Sequence, residues 1–304
     1  MPSSAYLPRR VARSMSVPVR GLDYHVLAWG APRAGVPPLV MMHGWMDVAA
    51  SFQFVVDALA QERQVFAADW RGFGASAAPQ PTDSYTFADY LGDLDALLDA
   101  LSPDAPVDLC GHSMGGNVVM LYAGVRPERV RRLVNLEGFG LPRTKPQHAP
   151  KRYRQWLDEL KTPQRLRDYE SLDEVADRLR QNNPRLAPAF ARWLAPHWAR
   201  EDAASGRWVI QGDPAHKRTS ANLYQVDEAL ACWQQIEAPL LWIEGRNTDL
   251  VKWWGDRYTL AEFHERLAVV KNVERHALAD CGHMLHHDQP QQVAALIEAF
   301  LDRA

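Results

Sequence analysis

Four short groups of residues in this chain carry side chains that do covalent chemistry when brought together. The first is Gly111-His112-Ser113-Met114-Gly115-Gly116, a Gly-x-Ser-x-Gly pattern with an apolar strand-like run before it and a helix-like run after it. Small residues at 111 and 115 let a chain turn sharply from strand to helix, and such a turn lifts the serine hydroxyl clear of the sheet. A serine hydroxyl is a weak nucleophile until a base takes its proton. His283, in Ala279-Asp280-Cys281-Gly282-His283-Met284, follows a predicted strand and precedes the last predicted helix, which places it in a loop at the same sheet edge. That histidine needs a carboxylate to orient it. Asp249 is the first candidate, a short loop beyond the run Leu240–Glu244, and Glu137, next after the run Val130–Leu136, is the second. The carboxylate not used is then expected in a structural salt bridge. Finally, His43-Gly44-Trp45 follows an early strand, where the Trp45 backbone N–H, with that of Met114, can cradle an oxyanion. Together these groups describe acyl transfer through Ser113, with His283 as base and Asp249, or alternatively Glu137, as acid.

Such residues need a scaffold that brings distant loops to one edge. The chain supplies short β-rich runs alternating with longer amphipathic ones. Residues 16–29 read as a hairpin turning near Arg20-Gly21, and Leu39–His43 and Gln64–Asp69 as buried strands. Phe52–Leu59 has helical spacing with Ser51 as its cap, and Tyr90–Leu101 places Leu91, Leu94, Leu98 and Leu101 on one face. Strands follow at Val107–Cys110, Val130–Leu136, Leu240–Glu244 and Glu274–Leu278, with helices near Gly115–Gly124 and Pro290–Leu301. Strands separated by helices imply right-handed crossovers and a mostly parallel central sheet flanked by helices. The alternation fails between residues 141 and 236. That stretch carries 16 Lys and Arg against 12 Asp and Glu, and its helix-like runs are broken at Pro163, Pro184, Pro188 and Pro196. It reads as an inserted helical module, with residues 1–140 and 237–304 forming the core.

Composition bounds the rest. With 304 residues, 47% of them apolar and 23% charged, the chain is long enough for a substantial core and too apolar to be disordered. A formal charge of −3 gives no basic excess for nucleic acid. No apolar run reaches membrane-spanning length, and the first residues lack a signal-like apolar core, so a cytoplasmic protein is expected. Three cysteines, Cys110, Cys232 and Cys281, suit a reducing compartment rather than a disulfide framework. His283, His286, His287 and Asp288 offer metal-ligand chemistry, but no second ligand cluster accompanies them, so neither metal nor cofactor is expected. Oligomeric state leaves no trace in the sequence.

The motifs taken in order resemble those of the α/β-hydrolase superfamily: His43-Gly44-Trp45, then Asp69-Trp70-Arg71-Gly72-Phe73-Gly74-Ala75-Ser76, then the serine turn, Asp249 and His283. His43-Gly44-Trp45-Met46-Asp47 with Ala50-Ser51-Phe52 is similar to the serine-hydrolase-like branch. The resemblance implies an α/β-hydrolase fold, with 141–236 as the cap inserted after the sixth strand. It implies a cofactor-free hydrolase of a carboxylic ester or related acyl compound, acting on a small molecule. Thioester, lactone, amide and C–C cleavage fit the same machinery, and some relatives bind ligands without turnover. Ser113 also sets the chain apart from the dehalogenases and epoxide hydrolases, which carry aspartate at that turn. One departure stands out. Many relatives carry the acid three residues after the glycine that ends its strand, where this chain has Thr248; Asp249 is one further on, and Glu137 is the position used in the dehalogenase-like branch. His43, Gly44, Phe139, Trp193, Trp198 and Trp208 are expected to line the substrate pocket. The 11 tryptophans, gathered mostly near the expected mouth and in the cap, favour a substrate with a bulky or apolar moiety.

Overall fold

A computed structural model describes residues 5–78 and 82–303. Strands β1 (Arg13–Val19) and β2 (Leu22–Trp29) form the expected hairpin. Its two-residue turn places Arg20 and Gly21 both at positive φ (48° and 81°), the twist that suits a tight hairpin. Next come β3 (Leu39–Met42), α1 (Gln53–Ala58), β4 (Val65–Ala68), α2 (Phe87–Leu101), β5 (Val107–His112), α3 (Met114–Val125) and β6 (Val130–Leu136). Ser51 does not cap α1: it lies in a short 3-10 turn before the helix, and its hydroxyl bonds the carboxylate of Asp47. Helix α2 starts three residues earlier than its apolar stripe, because Thr86 and Asp89 close a reciprocal cap at its first turn.

After β6 come α4 (Ala149–Leu160), β7 (Asp168–Tyr169), α5 (Leu172–Asn182), α6 (Pro188–Trp198), β8 (Ala199–Asp202), β9 (Arg207–Ile210) and α7 (Val226–Gln234). This stretch is not purely helical, as its composition suggested. β7, β9 and β8 form a small antiparallel sheet, in which the tight turn at Gly206 (φ 65°) joins β8 to β9. The last helix of the stretch, α7, packs on α3 and contributes Trp233 to the main core. The chain then completes the sheet with β10 (Leu240–Gly245), α8 (Val251–Trp254), α9 (Leu260–Leu267), β11 (Val273–Leu278), α10 (Leu285–Asp288) and α11 (Pro290–Leu301).

The central sheet has eight strands in the order β1-β2-β4-β3-β5-β6-β10-β11. Every pairing from β4 to β11 is parallel, and only β2 runs against its neighbours. Alternate side chains feed two cores. Leu39 and Met41, Cys110, Val134, and Leu241 and Ile243 face the layer with α1 and α11; Val40 and Met42, Leu109, Leu133, and Leu240 and Trp242 face the layer with α2, α3 and α9. Burial on both faces explains why these strands read as continuous apolar runs.

The motif Asp69-Trp70-Arg71 proves to be wiring for the loops at the sheet's C-terminal edge. Asp69 accepts N–H bonds from Ala49 (2.7 Å) and Ala75 (2.9 Å), tying the loop after β3 to the loop after β4. The Arg71 guanidinium grips Asp93 of α2 with two N–H groups, and the Tyr24 hydroxyl donates to the same wholly buried carboxylate. Removing Asp93 leaves a nearly buried guanidinium without its main partner. Asp93→Ala is therefore expected to lose about 3–5 kcal/mol of stability, read as a lowered urea midpoint. A shift of under about 0.5 kcal/mol, the scale of an ordinary surface change, would contradict this account.

Candidate active site

Sheet register sets the level of the site. His112 at the end of β5 pairs with Leu136 of β6, which also pairs with Ile243 of β10, which in turn pairs with His276 of β11. The next residue on each strand therefore reaches the C-terminal edge at about the same height, and Ser113 and Glu137 do so on adjacent strands. Both adopt positive φ (52° and 55°), a conformation that costs a non-glycine residue about 1–3 kcal/mol and persists only where the surroundings enforce it. At Ser113 the enforcement is visible. A Cβ on Gly111 would come within 2.5 Å of the Gly115 backbone, and one on Gly115 within 2.2 Å of the Met42 carbonyl. Only glycine at both places allows β5 to turn so abruptly into α3.

Ser113 Oγ lies 2.9 Å from His283 Nε2, and His283 Nδ1 lies 2.7 Å from Glu137 Oε2. Glu137 is 1% exposed. Its other oxygen, Oε1, accepts the Gly245 N–H (2.6 Å) and the Thr248 hydroxyl (2.6 Å). Asp249, the first candidate for this place, is not there. Its carboxylate is exposed and accepts the N–H groups of Val251 (3.0 Å) and Lys252 (3.3 Å), capping the short helix α8. The physical reason lies at Thr248: the residue three beyond Gly245 does point at the site, but it brings a hydroxyl that donates to Glu137 instead of a carboxylate that would replace it. Asn247 N–H bonds the Cys281 carbonyl (2.9 Å), which ties this loop to the one bearing His283.

Burial pushes the Glu137 carboxyl above the usual carboxylate range, while the Gly245 N–H and the Thr248 hydroxyl pull it back. Burial likewise pulls the His283 imidazole below its ordinary value. Two further histidines hold the backbone around this pair. His112, kept neutral by burial, donates Nε2–H to the His283 carbonyl (2.9 Å). His43 accepts the Trp70 N–H at Nε2 (3.0 Å) and so donates Nδ1–H to the Gly44 carbonyl (2.7 Å), which fixes the chain before Trp45. Gly44 packs on the serine turn; a Cβ there would lie 3.1 Å from Ser113 Cβ.

Ser113 and His283 both face two cavities, of about 560 and 520 Å³. Trp45, Tyr85, Phe87, Phe139 and Trp254 wall the larger, beside Asn117, His216 and Arg218. The smaller has Gly44, Trp198, Asn182 and Asn183 in its wall, with Arg178, Arg185 and Lys252. Of the expected pocket residues, Phe139, Gly44 and Trp198 line a cavity beside Ser113. His43 does not; it is wholly buried beneath the loop it braces. Trp193 packs edge-on to Tyr6 and Phe54, away from Ser113, and Trp208 sits in β9 against the core. The tryptophans are thus less concentrated at the mouth than their positions suggested. Trp29, Trp70, Trp233 and Trp242 are fully buried, whereas Trp45 and Trp253 stay 52% and 40% exposed, Trp253 lying edge-on to the His283 ring (4.5 Å). Arg178, Arg185, Lys252, Tyr85 and His216 carried no sequence signal, because nothing in spacing says which residues fold back over a cavity.

Asp47, His286 and His287 form a buried cluster beside this centre, their candidate ligand atoms within 4.8 Å of one another. Asp47 Oδ1 accepts the Val48 N–H (2.9 Å), the Trp198 indole N–H (3.1 Å) and the Ser51 hydroxyl. The carboxylate therefore pins α6 to the loop after β3.

The sheet order, the serine turn and the His283 loop together define a fold family, and residues 37–290 match the family model described as the α/β-hydrolase fold. The chain belongs to that family. This α/β hydrolase is 24% identical to a serine hydrolase-like protein of Danio rerio, over 96% of this chain and 89% of the relative. It is 28% identical to a cis-3-alkyl-4-alkyloxetan-2-one decarboxylase of Shewanella oneidensis, over 87% of this chain and 81% of the relative. In three dimensions it is similar to the thioesterase domain from the curacin biosynthetic pathway, with a TM-score of 0.83 at 24% identity, covering 95% of this chain and 99% of that one. At that identity the likeness is one of fold. Among the described residues, no helix is long and apolar enough to cross a membrane.

Proposed function

We propose that this α/β hydrolase is a serine hydrolase that cleaves a carboxylic ester or related acyl compound through an acyl-enzyme intermediate. The observation that carries the reading is the unbroken line of hydrogen bonds from Ser113 Oγ through the His283 ring to Glu137, on the floor of a largely aromatic cavity. Glu137, ionised, accepts Nδ1–H and so leaves Nε2 unprotonated toward Ser113. Nε2 takes the hydroxyl proton as Oγ attacks the substrate carbonyl carbon. The proton then goes to the leaving group, and the ester bond breaks to leave an acyl group on Ser113. Water, deprotonated by the same nitrogen, attacks that acyl group and releases the acid.

The oxyanion formed in each half-reaction is assigned to the backbone N–H groups of Trp45 and Met114. Met114 opens α3, so its N–H has no acceptor within the helix and sits at the helix's positive end. Trp45 follows Gly44, which is held against Ser113. In this reading residues 1–140 and 237–304 form the catalytic core and 141–236 the cap, its last helix resting on α3. The aromatic cavity favours a substrate with a bulky or apolar moiety.

Hydrolysis of p-nitrophenyl esters tests the reading. Turnover is expected, with butyrate or benzoate preferred to acetate; well-folded protein that turns over none of them would overturn it.

A further inference from the structure

The two cavities that meet at Ser113 and His283 differ in charge. The larger carries one cation, Arg218, and that guanidinium is engaged: it donates to the carbonyls of Thr82 (3.3 Å) and Asp83 (2.7 Å). The smaller carries three, Arg178 on α5, Arg185 just beyond α5 and Lys252 on α8. None of these three side chains makes a hydrogen bond or ion pair with a described residue. The acids nearby bond neutral donors rather than these cations, which outnumber the two carboxylates in the same wall, Asp47 and Asp249. Asp47 Oδ1 holds Val48, Ser51 and Trp198, and Asp249 caps α8. Asp288 accepts the Gly282 N–H (2.8 Å) and an N–H of the Asn183 side chain (2.8 Å). Arg185 also approaches the catalytic loop itself, its Nη1 lying 3.5 Å from where a Cβ of Gly282 would stand, one residue before His283.

Unpaired cations from two separate segments, converging on one side of the reacting centre, are a receptor for negative charge. They attract an anionic substrate from a distance, and arginine offers paired N–H donors to a carboxylate. We infer that the smaller cavity binds a carboxylate carried by the substrate, so that the scissile acyl group lies between an apolar portion in the aromatic cavity and an anionic portion against Arg178, Arg185 and Lys252. This rests on the serine-hydrolase reading above.

Two matched pairs of esters locate the charge. p-Nitrophenyl hydrogen adipate against p-nitrophenyl hexanoate puts the carboxylate on the acyl side; 4-carboxyphenyl hexanoate against 4-carbamoylphenyl hexanoate puts it on the alcohol side. In one pair the anionic ester is expected to have the higher kcat/KM, by roughly tenfold at low salt and much less at high salt, since exposed charges are screened. Arg178→Gln, Arg185→Gln and Lys252→Gln should each cut that ratio by about two- to fivefold, mainly through KM. Lys151→Gln, which removes a cation from α4 outside both cavities, should leave the ratio unchanged. Preference for the neutral ester in both pairs would overturn the inference, as would an anionic preference that survives Arg178→Gln/Arg185→Gln. Absence of turnover on all four esters would instead count against the hydrolase reading. Calorimetric binding of the hexyl half-amide of adipic acid, which needs no turnover, then decides the cavity alone: binding tighter than that of the neutral diamide and weakened by Arg185→Gln supports it, and equal binding overturns it.

Discussion

Glu137→Gln is expected to lower kcat by about 10⁴ while leaving the fold intact. The substitution keeps the shape of a buried side chain and the carbonyl oxygen that accepts from Gly245 and Thr248. What it changes is the atom facing His283 Nδ1, 2.7 Å away in the native protein. An amide NH₂ there donates a hydrogen bond, so Nδ1 must accept it, and the ring proton moves to Nε2. The nitrogen beside Ser113 then already carries a proton and cannot take another without becoming charged. Asp249→Asn should change kcat by no more than about threefold, because asparagine caps a helix as well as aspartate does. Steady-state kinetics of the two variants side by side makes the comparison. A large loss in Asp249→Asn with a small one in Glu137→Gln would reverse the assignment.

Ser113→Ala has the largest expected effect of all. Without Oγ no acyl-enzyme forms, and kcat should fall by about 10⁶, leaving only what the oxyanion donors and substrate positioning provide. Stability should rise or stay level. The serine stands at a strained turn with its hydroxyl partly exposed, and its deletion removes no buried hydrogen-bond partner other than His283 Nε2, which faces the cavity. Loss of activity with an unchanged or raised unfolding midpoint is the signature of a catalytic serine. Equal loss of both would mean that Ser113 serves the fold.

Local patterns carried most of the architecture. The tight turn at Arg20-Gly21, the doubly buried strands β3, β5, β6 and β10, and the abrupt passage through Gly111 and Gly115 each follow from a few neighbouring residues, and each stands where the sequence places it. That Ser113 and His283 reach one edge of the sheet was legible for the same reason: each directly follows or closely trails a strand with a strong signature. Which carboxylate stands beside His283 was not. Asp249 and Glu137 both trail strands, and the choice between them turns on where a one-residue difference after Gly245 sends each side chain. Thr248, whose hydroxyl donates to Glu137, decides it, and that contact joins residues 111 positions apart in the chain. The stretch 141–236 was legible only as a break in the alternation. Its small sheet is built from strands of two to four residues, too short to leave a periodic trace, and the walls it gives the cavities depend on packing across the whole molecule. The tryptophan surplus misled for a related reason. Position near a site in sequence does not separate a ring that lines a cavity, such as Trp45, from one that fills the core beneath it, such as Trp70, whose indole N–H bonds the His43 carbonyl (2.9 Å).

Covalent trapping asks whether Ser113 is an activated nucleophile. The protein is incubated with a fluorophosphonate, digested, and the modified peptide sequenced by mass spectrometry. One phosphonate is expected, on Ser113, absent from Ser113→Ala and formed far more slowly in Glu137→Gln. A folded wild-type protein that stays unmodified, or one that carries the label on another residue, would contradict it.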